Sequence, residues 1–232
     1  ATIMFWVGRN HFVHVPPRGD RFFSETFSKD GLKAITALLP IFLLLTVFWS
    51  CFDQTASKWV AQGKRMNGEV FGIEILPDQM QSLNPILVLL FIPLFSYVIY
   101  PKVGRVFELT PLRKMGIGFF VTAGSFSCSA LIETQITNNV EPNILWQTIP
   151  YILLTAAEIM ISITALEFAY SQSPKSSKSL VMAVYMGCIA LGNALTAITN
   201  AVITNPDGSS LLPGADYYWF FTGMVFVAGI LF

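Results

Sequence analysis

The sequence predicts an all-α membrane protein built from six spanning helices. Of the 232 residues, 53% are hydrophobic and only 12% are charged, which is about half the charged fraction of a typical soluble domain. The mean hydropathy is +0.59. A soluble protein of this size needs more polar residues to cover its surface, whereas in lipid the surface itself can be apolar.

Six segments have about the length that a helix needs to cross the hydrocarbon core, which is roughly 20 mostly apolar residues. They are residues 34–52, 83–100, 115–132, 146–170, 179–203 and 217–232. Residues 1–9 are expected to be the end of a preceding spanning helix, and residues 10–33 a cytoplasmic linker. Residues 34–232 are then expected to form one six-helix bundle.

The basic residues predict how this bundle is oriented, because Lys and Arg collect in cytoplasmic loops. Of the 14 basic residues, all but Lys58, Lys64 and Arg65 lie before the first span, after the second or after the fourth. The loops near Glu133 and Asp207 hold none. The first span is therefore predicted to start in the cytoplasm, and the sixth to end there.

Several function classes lack support in the sequence. The net charge is zero, so no basic surface indicates a nucleic-acid partner. Cys51, Cys128 and Cys188 lie far apart in apolar segments and are expected to be small buried residues. His11 and His14 have no third ligand nearby, so no metal site is predicted. No nucleophile or phosphate-binding motif indicates an enzyme.

Asp53 is an ionisable residue at the end of the first span. Trp49 lies four residues earlier, on the same helix face, and Phe52 is adjacent. A carboxyl group beside aromatic rings and away from bulk water can carry a proton at neutral pH. The alternative is that Asp53 lies at the outer end of the span and pairs with a basic neighbour.

Glu158 lies well inside the apolar stretch of the fourth span, with Ser162 one turn further on the same face. A carboxylate in mid-membrane is costly and needs a partner, so it is a functional hypothesis by default. Glu167 follows near the cytoplasmic end and is expected to belong to a structural or gating ion pair.

The second and fifth spans carry features with two readings. Asn84 precedes Pro85 at the start of the second span and is either a helix cap or a ligand contact. Pro93 is expected to kink that span, for gating or for packing. The fifth span has small residues that let helices approach closely, and packing is the preferred reading: Gly187, Ala190, Gly192, Ala194 and Ala197.

Acidic residues on different helices that face one cavity are what a proton-coupled transporter needs. One of them would bind a cationic group of the substrate, and another would load a proton. This reading needs no cofactor, since the driving force is the proton gradient.

Three segments resemble the proton-coupled oligopeptide transporter family, called POT or PTR, of the major facilitator superfamily. Residues 48–59, FWSCFDQTASKW, resemble part of its seventh helix, and residues 82–85, SLNP, the start of its eighth. Residues 157–174, AEIMISITALEFAYSQSP, resemble the signature of its tenth. The resemblance covers essentially the whole chain, as the carboxy-terminal six-helix half of a major facilitator fold.

The resemblance implies roles for individual residues. Substrate-binding positions are Glu158, Asn84, Trp49, Phe52, Ser162 and Tyr185; proton-coupling or gating positions are Asp53, Gln54 and Glu167. Glu158 would receive the amino terminus of the peptide, with Asn84 nearby. Gln54 is a weaker assignment. Tyr185 stands where the family often has Trp, so it is expected to alter side-chain preference.

The implied function is proton-coupled symport of di- and tripeptides by alternating access. The expected partners are the peptide, protons, the lipid bilayer and an amino-terminal six-helix half. The short segment 133–146 favours a bacterial-like member, in a bacterial inner membrane, because animal members carry a large extracellular domain there. Segment 10–33 is too short for the two extra helices that many bacterial members insert between the halves.

Two alternatives remain. One is a transporter of the same fold for another solute, such as nitrate, a drug or an amino acid. The Glu158 carboxylate suits an ammonium group and repels an anion. The other is a membrane receptor or scaffold that does not transport.

Overall fold

A bundle of membrane-spanning helices makes up the computed structural model, which describes residues 27–173 and 178–232. This part of the chain contains five helices long and apolar enough to cross a bilayer, and a shorter apolar helix follows them. The fold class predicted from the sequence is therefore confirmed. The predicted preceding helix, most of the linker and both histidines lie outside the described residues.

The first span is longer than predicted. It consists of α1 (Lys29–Phe52), a 3₁₀ turn (Asp53–Ala56) and α2 (Lys58–Gly63). The predicted end at residue 52 is wrong because the polar residues beyond it lie inside the bundle, where Gln54 and Gln62 are fully buried. A short antiparallel hairpin, β1 (Glu69–Val70) with β2 (Ile73–Glu74), follows on the outer side and was not predicted.

The second and fourth spans share an irregularity. The second span consists of a 3₁₀ turn (Pro77–Ser82), α3 (Leu83–Leu94), a π-helical segment (Phe95–Ile99) and α4 (Tyr100–Val103). The fourth consists of a 3₁₀ turn (Ile144–Gln147), α6 (Thr148–Glu158), a π-helical segment (Ile159–Ile163) and α7 (Thr164–Gln172). Pro93 lies two residues before the first π segment, and its missing N–H removes a backbone hydrogen bond from the last turn of α3.

The other three spans are single helices. They are the third, α5 (Pro111–Thr137), the fifth, α8 (Lys178–Ile203), and the sixth, α9 (Ala215–Leu231). Thr110 caps α5 by accepting a hydrogen bond from the Arg113 backbone N–H, and Pro111 occupies the first helical position. The third span packs against the sixth and the fourth, the first against the fifth, and the second against the fourth.

A buried aromatic cluster joins four of the spans. The Trp59 ring lies 4.8 Å from Tyr151 of the fourth span and 5.8 Å from Phe126 of the third. Phe126 in turn lies 6.3 Å from Phe221 of the sixth span. All four side chains are almost completely buried. The cluster holds together the half of the bundle that contains Trp59 and leaves the second and fifth spans at its edge.

Candidate functional site

Glu158 of the fourth span accepts a hydrogen bond from a neutral donor and pairs with no basic residue in 27–173 or 178–232. The Asn84 side-chain amide donates a 2.8 Å hydrogen bond to Glu158 Oε2. The same amide donates to Thr155 Oγ1 at 3.2 Å. Asn84 is the second residue of α3, and Ser82 stands at the N-cap. Asn84 therefore does not cap its helix, and its side chain crosses to the fourth span.

Ser162 and Tyr185 form a second contact one turn along the fourth span. The hydroxyl oxygens of Ser162 and Tyr185 lie 2.9 Å apart, and the Tyr185 hydroxyl also lies 3.3 Å from the Ser162 carbonyl oxygen. The Tyr185 ring makes an edge contact with Phe42 of the first span, with centroids 6.4 Å apart. The tyrosine therefore connects the fourth, fifth and first spans one turn from Glu158.

Trp49, Phe52 and Asp53 lie together on the first span. The rings of Trp49 and Phe52 are 5.4 Å apart in an edge-to-face arrangement. Asp53 is half-buried, and its Oδ2 atom is buried with no hydrogen-bond partner among the described residues. The Asn193 side chain of the fifth span approaches the carboxyl group. This aromatic face beside a carboxyl group is the arrangement that the four-residue spacing predicts.

The fifth span connects these two groups of residues. Gly192 packs against the first span so closely that an added Cβ would lie 2.7 Å from Trp49 Cβ. Thr196 fixes the same contact by donating a 2.8 Å hydrogen bond to the Ser50 carbonyl oxygen. Tyr185 lies about 10 Å along the helix from Gly192, at a rise of 1.5 Å per residue. The fifth span therefore contacts the first span near Asp53 and the fourth span near Glu158, at two separate points along its length.

Neither Asp53 nor Glu158 is in an ion pair with a residue in 27–173 or 178–232. A carboxylate in a span normally has a cationic partner or takes up a proton. Neutral donors such as the Asn84 amide stabilise the carboxylate without neutralising it. This arrangement leaves the Glu158 carboxylate able to pair with an ammonium group that comes from outside the described residues.

Two predicted residues lie away from this site. Gln54 is fully buried, and its amide donates a 2.8 Å hydrogen bond to the Ser50 carbonyl oxygen of its own helix. Glu167 is exposed at the far end of the fourth span and forms no ion pair within the described segments. Their coupling and gating roles stay predictions. Among the described residues no cluster of His, Cys, Asp and Glu has the composition of a metal site.

The sequence analysis missed a buried polar network near the outer end. Arg65 donates to both carboxylate oxygens of Glu133, at 2.7 and 2.8 Å. Gln62 donates to Glu133 Oε2 at 2.9 Å and to the Ser129 carbonyl oxygen at 3.0 Å. Gln147 joins the network by donating to Gln62 Oε1 at 3.3 Å. Arg65 and Glu133 are 68 positions apart, so no local pattern could connect them.

Comparisons with a family model and with known proteins point to the same family. The family model described as the POT family matches residues 23–220. Peptide transporter family 1 of Drosophila melanogaster is 42% identical over 121 residues, which are 52% of this chain and 16% of the relative. Peptide transporter PTR2 of Saccharomyces cerevisiae is 28% identical over 219 residues, covering 88% of this chain and 34% of the relative.

A solved structure has the same fold. The crystal structure of an auto inhibited POT family peptide transporter is 33% identical, with a TM-score of 0.80. The match covers 90% of this chain and 42% of that one. The chain therefore spans less than half the length of these relatives.

Proposed function

Because this chain belongs to the POT family, we propose that it is the carboxy-terminal half of a transporter that carries di- and tripeptides together with protons. The family consists of peptide transporters and not of enzymes. The whole transporter would work by alternating access, with an amino-terminal six-helix half as its second bundle. It would lie in the cell membrane and need no cofactor. The bacterial inner membrane stays a prediction, since the relatives include insect and yeast proteins.

The observation that carries the proposal is the surroundings of Glu158. This half-buried carboxylate accepts a hydrogen bond from Asn84 and has no basic partner within the described residues. It offers a negative charge to the ammonium group at the amino terminus of a peptide. A nitrate ion or another anionic solute would be repelled, so this geometry disfavours the same fold with an anionic substrate.

The remaining predicted residues take complementary roles in the proposed site. Trp49 and Phe52 supply aromatic surface for peptide side chains, since large rings bury much apolar area. Tyr185 and Ser162 supply hydroxyl groups beside Glu158. Tyr185 narrows the site less than the tryptophan often found at this position in the family. The substrate carboxylate would be held by basic residues of the amino-terminal half.

The proposed cycle starts from the outward-facing state. Asp53 takes up a proton and releases its contact with the other half. The peptide enters, and its ammonium group pairs with Glu158. The two bundles then rock around this central site, and release to the inside accompanies loss of the proton. The membrane potential contributes about 2.3 kcal/mol per charge and 100 mV.

The test is uptake of a labelled dipeptide by the full-length transporter in liposomes, under an inward proton gradient and an inside-negative potential. Glu158→Gln is expected to weaken peptide binding by about tenfold to a hundredfold, the range for a lost charge-assisted hydrogen bond. Asp53→Asn is expected to abolish gradient-driven uptake but to keep exchange of peptide across the membrane.

Glu141→Gln is the matched control, because Glu141 is an exposed carboxylate in an outer loop. It is expected to transport like the wild type. A folded wild-type protein that takes up no dipeptide would show the substrate assignment to be wrong. This result is the one expected of a membrane receptor or scaffold that does not transport. Normal uptake by both site variants would instead refute the proposed roles of Glu158 and Asp53.

A further inference from the structure

A polar cavity of about 400 Å³ lies between the second and fourth spans, away from the Glu158 site. Both π-helical segments border it, because Ser96 belongs to one and Ile159 to the other. Its charged residues are Lys114, at the start of the third span, and Glu167. These residues lie at the end of the bundle that the distribution of Lys and Arg predicts to be cytoplasmic. In this predicted orientation, the cavity lies at the level of the inner-leaflet headgroups.

The cavity contains one positive and one negative group that do not pair with each other. Lys114 Nζ lies 4.2 Å from the centre of the Tyr100 ring. Neither Lys114 nor Glu167 is in an ion pair with any residue that the structure describes. The Tyr100 hydroxyl is buried and has no hydrogen-bond partner in that part of the chain. A buried hydroxyl of this kind is costly unless something else bonds to it.

We propose that this cavity binds the headgroup of an inner-leaflet phospholipid that carries a phosphate and a primary ammonium group. The phosphate would bond to Lys114, which the Tyr100 ring positions, and the ammonium group would bond to Glu167. The hydroxyls of Ser96 and Thr164, which also line the cavity, complete the polar surface. This inference does not rest on the proposed peptide substrate.

The surface next to the cavity fits the acyl chains of such a lipid. Ile92 lines the cavity and is 40% exposed, and Leu89, one turn further into the membrane, is 75% exposed. Leu90 on the same helix is 60% exposed. An acyl chain that runs from the headgroup along this span would cover these side chains.

The arrangement favours a primary ammonium over a quaternary one. The face of the Tyr100 ring is already occupied by Lys114, so a trimethylammonium group has no free aromatic face there. Glu167 needs an N–H donor for a charge-assisted hydrogen bond, and a trimethylammonium group has none. A headgroup with only a negative charge would be disfavoured, because the Glu167 carboxylate would repel it.

The experiment measures lipid binding to the purified full-length transporter by native mass spectrometry. The lipids are phosphatidylethanolamine, its N-monomethyl and N,N-dimethyl forms, and phosphatidylcholine, all with the same acyl chains. We expect the first three to bind with similar affinity and phosphatidylcholine to bind about tenfold more weakly, as for one lost charge-assisted hydrogen bond. Equal affinity for all four lipids would overturn the proposal, and this arm needs no variant.

Variants then assign the groups. Glu167→Gln is expected to remove the preference for N–H-bearing headgroups, and Lys114→Met to weaken all four lipids. The control variants Lys102→Met and Glu108→Gln change exposed charges at the same end of the bundle and are expected to bind lipid like the wild type. An unchanged preference in folded Glu167→Gln overturns the proposal. Displacement of the lipid by a labelled dipeptide also overturns it, because the cavity would then be an exit site for substrate.

Discussion

The contact between Ser162 and Tyr185 shapes the proposed peptide site, since it joins the fourth and fifth spans beside it. The tyrosine hydroxyl lies within hydrogen-bond distance of both the Ser162 hydroxyl and its carbonyl oxygen. An aromatic residue without a hydroxyl could fill the same space but could not hold this register. The hydrogen bond is therefore a residue-scale feature with a measurable energy.

Tyr185→Phe and Ser162→Ala are each expected to destabilise the full-length protein by about 0.5–1.5 kcal/mol. The double variant is expected to lose little more than the larger single loss, because both changes remove the same contact. The measurement is a double-mutant cycle of chemical unfolding in detergent micelles. Tyr97→Phe is the control, since Tyr97 is 82% exposed. Strictly additive losses would show that the two hydroxyls do not interact.

Arg65 and Glu133 provide the second residue-scale prediction. Glu133 is 1% exposed, so Arg65→Ala leaves a buried carboxylate without its two charge-assisted hydrogen bonds. We expect a loss of about 1–3 kcal/mol. This is less than for a fully buried pair, because the Arg65 side chain is 50% exposed and water can partly replace it.

The Glu108–Arg113 pair is the matched control. Its charged atoms lie 3.9 Å apart and both side chains are exposed. Glu108→Ala is expected to change the free energy of unfolding by less than about 1 kcal/mol, as for surface ion pairs in general. Equal losses in the two variants would mean that burial of Glu133 does not decide the strength of its pair.

At the scale of elements, two glycines in the fifth span differ in their surroundings: Gly192 is closely packed against the first span, and Gly187 is not packed against any neighbour in the described part of the chain. A Cβ at Gly192 would lie 2.7 Å from Trp49 Cβ and 2.8 Å from the Ser50 backbone nitrogen, whereas a Cβ at Gly187 meets nothing within 4 Å. Gly192→Ala is expected to destabilise the protein by about 1–3 kcal/mol through overpacking. Gly187→Ala is expected to be neutral or to stabilise it by up to about 1 kcal/mol.

Unfolding and dipeptide uptake measured on both glycine variants check this prediction. Gly192→Ala is also expected to reduce uptake. The first span must move to make room for the added methyl group, and this movement displaces Trp49 and Asp53. Gly187→Ala is expected to leave uptake unchanged. Similar stability in the two variants would contradict the close contact between the first and fifth spans.

The paired π-helical segments are a second feature at this scale. Phe95 of one segment packs with Ile159 of the other in a small buried cluster. Each segment shifts the faces of its helix relative to the part before it. In the fourth span Glu158 lies directly before the π segment, and Glu167, which lines the proposed lipid cavity, lies after it. Segments of this kind are frequent at functional sites.

For the whole molecule, the orientation in the membrane remains a prediction with a direct test. Asp207 and Arg105 are exposed and lie in loops at opposite ends of the spans. In a variant whose native cysteines are replaced by serine, Asp207→Cys is expected to react with a membrane-impermeant maleimide on intact cells. Arg105→Cys is expected to react only after permeabilisation. The reverse pattern would invert the predicted topology.

The second span shows why this half needs a partner or lipid around it. It is the least buried of the long spans, and Leu89, Leu90 and Tyr97 are largely exposed. In water such a surface would drive aggregation. The bilayer and the proposed amino-terminal half are expected to share it.

The sequence by itself determined the fold class, the five long spans and the acidic residues within them. Apolar length and the positions of charges are local properties, so they can be read along the chain. The segments containing Asp53, Asn84 and Glu158 also carry the family resemblance. The aromatic face of the first span follows from its four-residue spacing for the same reason.

Only the tertiary structure decided how these residues are paired. Asn84 bonds to Glu158 across 74 positions, and this contact shows that Asn84 does not cap its own helix. Arg65 reaches Glu133, Gln54 turns back to its own helix, and Lys114 joins Glu167 around one cavity. These outcomes depend on how helices pack and where they shift into π geometry, and no local pattern in the sequence encodes either.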